Sequence, residues 1–239
     1  MKLLLSIKNV EQLSFPVDGY VLGYEKYCSF SSGRFSYEEI REICKSHNVF
    51  VLMNALINED DLEDTRKELD RLMGLGVSFI IQDVGLLSYL LKSYEKSKII
   101  FNPYTLICNR DDLSAYLDLG VTVFVSNVAT DKETLLARGT ALQVYGYLPI
   151  YQSYRRVLSL YEEGHKVRLS SHDLYLKENT RDDLYHTLEN EYGTVVFSPE
   201  VVNEIDDKNM DADYWLIDSM YLSDEEIKNA IERARLCKK

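Results

Sequence analysis

Seven short apolar runs punctuate the first 146 residues, at 2–7, 20–24, 49–54, 77–82, 98–102, 121–126 and 141–145, and an eighth follows at 214–218. Each is too brief for a buried helix and nearly continuous in Leu, Val, Ile and Phe, which is how a parallel strand covered on both faces reads. Polar connections or amphipathic stretches separate them, so the rhythm is that of βα units. Eight units predict an α/β chain folded as a (β/α)8 barrel of the TIM type. A doubly wound open sheet is the alternative, because periodicity does not reveal closure.

The helices between the runs carry their own start and stop signals. Ser36 with Glu39, Thr130 with Glu133 and Ser223 with Glu226 each fit a capping box, in which a hydroxyl and a carboxylate satisfy the first free N–H groups. Within 59–73, Leu62, Leu69, Leu72 and Met73 recur at helical spacing. Gly74 and Gly76 follow where a left-handed residue ends a helix, and Gly120 repeats the device before the sixth run.

After residue 145 the rhythm breaks. A Tyr/Arg-rich stretch at about 150–163 reads as a helix, and 165–211 reads as short strands and turns, with strand-like alternation at 167–177 and 194–197. The expected organisation is therefore barrel units one to seven over 1–164 and a small β-rich insertion over 165–211. A last βα unit over 212–239 closes the same barrel.

Composition narrows the function. With 27 Lys+Arg against 39 Asp+Glu the net charge is −12, which disfavours a nucleic-acid partner for this chain alone and a polybasic membrane contact. No apolar run approaches the roughly 18–20 residues of a membrane span. The N-terminal run meets Lys8 and Glu11 too soon for a signal peptide, so a cytoplasmic location is expected. Cys28, Cys44, Cys108 and Cys237 are scattered and predict reduced thiols, and no metal site or cofactor is expected.

Ligands of parallel α/β folds bind where the strands end and the βα loops converge. The polar residues there are Lys8, Tyr24, Asn54, Gln82, Asp83, Asn102, Ser126, Asn127, Tyr145, Tyr147, Asp218 and Ser219. Asp83 can serve as a general base, a metal ligand or a hydroxyl acceptor, or it can simply cap the helix that follows. Asp83 and Asp218 would sit on strands four and eight, roughly opposite each other around such a ring, where a shared two-carboxylate metal or glycosidase site is an option but not the favoured one. Arg155 and Arg156, in the Tyr/Arg-rich stretch, are of the type that clasps anions, though both could equally cover apolar surface. His47, His165, His172 and His186 fall away from strand ends. No nucleophile elbow, P-loop or dinucleotide fingerprint is present.

Three stretches together resemble the U-thirty-two, or collagenase-like, peptidase family. They are Asp18-Gly19-Tyr20-Val21-Leu22-Gly23 with Phe35-Ser36-Tyr37-Glu38-Glu39-Ile40; Asn54 with Gln82-Asp83-Val84-Gly85-Leu86; and Glu191-Tyr192-Gly193-Thr194-Val195-Val196-Phe197-Ser198. The resemblance implies a peptidase label and a barrel. In full-type members it also implies clustered cysteines after strand seven that in several cases hold an iron–sulfur cluster. Here residues 147–156 contain no cysteine. The expected Arg-Glu after strand six is Asn127-Val128, and the expected Glu-Gly-Arg of strand eight is Asp218-Ser219-Met220. Without thiolates no such cluster can be held.

Two functions follow as expectations. The first is a degenerate family member that binds a small, peptide or anionic ligand, or that acts as a homodimer or as partner subunit of a full-length relative. The alternative is an active hydrolase or RNA-modifying enzyme. Its strand-end pocket would use Asp83 as acid/base, with Asn54 and Asn102 as orienting amides. Gln82, Asn127, Tyr145, Tyr147 and Asp218 would line that pocket, and Arg155 or Arg156 would hold an anionic group.

Overall fold

The computed structural model describes residues 1–104, 106–207 and 210–237. Its first seven strands are β1 (Lys2–Ser6), β2 (Gly19–Tyr24), β3 (Val49–Met53), β4 (Ser78–Ile81), β5 (Ile99–Phe101), β6 (Thr122–Phe124) and β7 (Thr140–Gly146). Each pairs in parallel with the next. The last barrel strand, Tyr214–Asp218, is β12 in chain order. It pairs in parallel with β7 on one side and with β1 on the other, where Leu4 faces Leu216. The ring closes, which selects the barrel over the open sheet.

Alternation along each strand sorts the core into two layers. Leu4, Val21, Phe50, Leu52, Ile80, Ile100, Phe124, Ala141 and Leu216 fill the barrel interior. The intervening residues, such as Leu3, Leu5, Phe79 and Phe101, meet the helices through Ile40, Leu69, Leu86, Leu90 and Ile227. Removing each large side chain from water contributes about 1.5–3 kcal/mol.

The surrounding helices are α1 (Tyr37–Ile43), α2 (Leu62–Met73), α3 (Val84–Ser93), α4 (Arg110–Leu117), α5 (Lys132–Leu135), α6 (Val157–His165) and α7 (Asp224–Cys237). Ser36 and Glu39 form the full capping box of α1, and Ser223 and Glu226 do the same for α7. Gly76 and Gly120 take the left-handed φ of +72° and +86° that relieves a tight helix-to-strand turn. Thr130 does not cap. Residues just after β6 are used in a turn, with Ala129 N–H donating to Ser126, and α5 shrinks to four residues starting after Asp131.

A second sheet lies between β7 and β12. It contains β8 (Pro149–Ser153), β9 (Asp173–Lys177), β10 (Leu184–Asn190) and β11 (Gly193–Phe197), in the antiparallel order β9-β10-β11-β8. The helix expected over 150–163 is thus part strand: 149–153 pair with β11, and α6 begins at Val157. Pro149 cannot donate a helical hydrogen bond, and the β-favouring Ile150 and Tyr151 follow it. Beyond β11 the chain returns to the barrel, where Val202 and Asn203 pair antiparallel with Gly146 and Tyr145 of β7. Among the described residues no helix is long and apolar enough to cross a membrane.

Candidate functional site

Two residues past the apolar interior layer, on the same inward face, the barrel turns polar. Leu4 is followed by Ser6, Leu52 by Asn54, Ile80 by Gln82, Ile100 by Asn102, Phe124 by Ser126, Ala141 by Gln143 and Leu216 by Asp218. The second strand has Gly23 in this layer, and the Ser31 hydroxyl sits 2.1 Å from where a Cβ would stand. The result is a crown of amides and hydroxyls at the C-terminal mouth, with Asp218 its sole carboxyl.

The second sheet, hereafter the lid, covers this crown. Gln152 of β8 reaches down, donating to Ser29 Oγ and to the Asn54 carbonyl, both at 2.9 Å, while its Oε1 accepts from Gln82 at 2.8 Å. Asn54 is fully buried. Its Oδ1 accepts from Ser29 N–H at 2.9 Å, and its Nδ2 donates to the Phe30 carbonyl and to the Tyr104 hydroxyl. Phe30, Val195, Phe197 and Met220 pack above it as a separate apolar cluster. Burial pushes the Tyr104 phenol far above its ordinary value, so this hydroxyl stays protonated.

A small cleft lies at the mouth, floored by Asn102, Ser126, Asn127 and Gln143 and walled by Tyr104, Val128, Pro149 and Ile150. Its cavity volume is about 30 Å³, space for about one or two water molecules. Tyr104, Pro149 and Ile150 are shared with a wider groove of about 230 Å³, which extends over Leu56, Gln82, Leu106, Tyr151 and Gln152. Neither space is lined by a carboxylate or a cation. Asn127 donates to the Gln143 carbonyl at 2.8 Å, Gln143 donates to the Tyr147 carbonyl at 3.0 Å, and Asn102 Oδ1 accepts from Tyr104 N–H. The Gln82 Oε1, buried beside the groove, has no partner among the described residues.

The other expected site residues lie elsewhere. Asp83 is the N-cap of α3, accepting from Leu86 N–H at 2.9 Å, and it lines neither space. Tyr145 turns outward onto the helix-facing core, and Tyr147 packs edge-on against His186 and Tyr221. Arg155 is exposed in the turn before α6. Arg156 is exposed as well, with its Nε 3.9 Å from Glu189. Asp218 lies behind the cleft floor, accepting from Ser32 Oγ at 2.8 Å and Met220 N–H at 2.9 Å. Burial raises its pKa, with the Met220 and Ser32 bonds and Lys8 pulling the other way.

Reading strand ends alone overlooked Ser6, Gln143 and Gln152. Inward alternation, counted two residues on from each apolar interior position, points to Ser6 and Gln143. Gln152 is visible only once the lid is folded over the mouth. Among the described residues no group of three or more potential metal-ligating side chains comes together.

The closed ring, its polar mouth and the antiparallel lid define the class: a (β/α)8 barrel with the ligand face at the carboxyl ends of its strands. Within that class, residues 16–168 match the model of Peptidase family U32, more than half of the chain, and the protein belongs to that family. The match spans β2 to the end of α6, stopping short of the Gly193-Thr194 turn. No curated protein and no solved structure matches the chain.

Proposed function

We propose that this chain is a ligand-binding member of Peptidase family U32 and not a protease in its own right. Its barrel mouth would hold an uncharged, amide-bearing ligand such as a stretch of polypeptide main chain. The observation that carries this reading is the neutrality of the cleft and groove, whose polar groups are amides and hydroxyls. Amides offer a donor and an acceptor together and so match a peptide unit, whereas an anionic ligand would need a cation that this lining lacks. Arg155 and Arg156 are exposed and line neither space. Peptide hydrolysis needs an activated nucleophile or a polarised water, and Asp83, spent on its helix cap, provides neither.

The test is calorimetric titration with a blocked, uncharged tetrapeptide, paired with a chromatographic assay for its cleavage. Binding without cleavage, weakened roughly tenfold by Asn102→Ala, is expected from the loss of a hydrogen bond worth about 1 kcal/mol or slightly more. Cleavage abolished by Asp83→Asn would instead favour the enzyme.

A second reading, a subunit that docks on a relative or on its own copy, is favoured by the lid surface. Val157, Leu160 and Tyr161 of α6 are solvent-facing apolar side chains, as are Tyr175 and Leu176 of β9. Sedimentation of the chain alone and with a full-length relative separates the two readings.

A further inference from the structure

Away from the mouth, a cleft of about 630 Å³ lies where α2 faces the lid. Its size suits a small organic ligand. Tyr27, Tyr154 and Tyr192 form aromatic walls, with the rings of Tyr27 and Tyr192 at 6.2 Å, and Leu56 and Ile57 supply an apolar floor. The charges around it are unequal in what they have left to offer. Lys26 is held by Glu68 at 2.8 Å, and Lys67 by Glu63 and Asp64 at 3.2 and 3.0 Å. Glu191 is taken by Arg34 at 2.6 Å. Asp61 differs. It occupies the N-cap of α2 yet makes no side-chain cap bond, and it pairs with no cation among the described residues.

Both lysines are thus neutralised, while one carboxylate stays uncommitted beside the rings of Tyr27 and Tyr154; the Tyr192 ring already carries the Arg34 guanidinium at 5.6 Å. We propose that this cleft binds a protonated alkylamine. The ammonium would lie between Asp61 and the tyrosine rings, by ion pairing and cation–π attraction, and the methylene stem would lie on Leu56 and Ile57. An anion would meet no free cation here, and a neutral ligand would leave Asp61 unused. The amine is either a free small molecule or a lysine side chain. Leu56 also borders the groove at the mouth, so a peptide lying there can turn a lysine into this cleft. In that second form the inference rests on the peptide-binding reading above.

The experiment titrates the whole chain with n-butylammonium and with two blocked tetrapeptides, identical except that one carries lysine and the other norleucine. Affinity is followed by calorimetry and by NMR shifts of the tyrosine rings. The butylammonium is expected to bind, and the lysine peptide to bind roughly three- to fivefold more tightly than its norleucine twin. Both preferences should vanish in Asp61→Asn and, independently, in Tyr154→Ala, two exposed positions whose loss leaves the core intact. Butylammonium that fails to bind, or that binds Asp61→Asn equally well, overturns the proposal. Two peptides that bind equally, where butylammonium binds, overturn the lysine form alone and leave the free-amine site and the mouth reading standing. Butylammonium that binds when neither peptide does supports the amine site and sinks the mouth reading.

Discussion

Barrel and lid are stabilised in different ways. The barrel buries two continuous apolar layers, one inside the ring and one beneath the helices. The lid contributes a small apolar cluster and exposes much of its remaining bulk. Ile150, Tyr151, Tyr154, Leu160, Tyr161, Tyr175 and Leu184 are all solvent-facing. What holds it is polar and concentrated in Glu189 of β10, whose side chain is completely buried. This carboxylate accepts from Leu158 N–H at 2.6 Å, Ser159 N–H at 3.0 Å, Ser159 Oγ at 2.5 Å and Thr194 Oγ1 at 2.9 Å. It thereby caps α6, whose own N-cap residue, Arg156, makes no such bond. His172 Nδ1 approaches the same group at 3.3 Å. Distributed packing fails gradually under mutation, whereas a single hub fails at once and locally.

The strongest break of this contrast is Phe79→Ala, in the fully buried layer beneath the helices. A loss of about 3–5 kcal/mol is expected, seen as a lowered urea midpoint for the whole chain. Glu189→Ala comes next, at about 2–3 kcal/mol, because four donors lose a charged acceptor. Its effect should be regional: amide exchange accelerates across 149–197 while β1 to β7 keep their protection. Equal acceleration in the barrel would show that the lid is no separate cooperative unit. Ser36→Ala, which removes one half of the capping box of α1, should cost only about 1 kcal/mol and stay within the barrel's global unfolding.

Smallest and most diagnostic is the response to pH, where the two regions have opposite signs. Burial pushes the Glu189 pKa up, but the bonds from Ser159, Thr194 and the Leu158 and Ser159 N–H groups prevail and hold it below the ordinary glutamate value. A depressed carboxyl adds stability above its unfolded-state value, and that stability is lost as pH falls through the folded value. The lid should therefore loosen in acid, read as faster proteolysis within 149–197. Asp218 is raised by burial, so its contribution is greatest in acid. That contribution declines as pH climbs from the ordinary aspartate value through the raised one. Asp218→Asn should flatten that decline, since an amide oxygen can still accept from Ser32 and Met220. A mutant whose pH–stability curve matches the parent would remove Asp218 from this account.

The barrel was legible because its determinants are local. Apolar runs mark strands, and Ser36 and Ser223 mark helix starts through bonds spanning three residues. The lid was less so, since residues 149–153 become a strand only by pairing with 193–197, a contact that no window of neighbouring residues contains. The mouth shows the same division. Asn54 and Asn102 were visible as strand-end amides, yet what Asn54 does is set by Ser29, Tyr104 and Gln152, which reach it from distant loops. Of the options open to Asp83, the cap bond to Leu86 N–H is the strictly local one, and the structure shows it made.

The lid leaves the barrel at Gly146, the last residue of β7, and its returning chain is stitched back by Val202 and Asn203 to the same strand. Both feet of this handle therefore stand on one stave. From those feet the handle spans the mouth, and amide bonds from Gln152 to Asn54 and from Gln82 to Gln152 moor it to the far side of the ring.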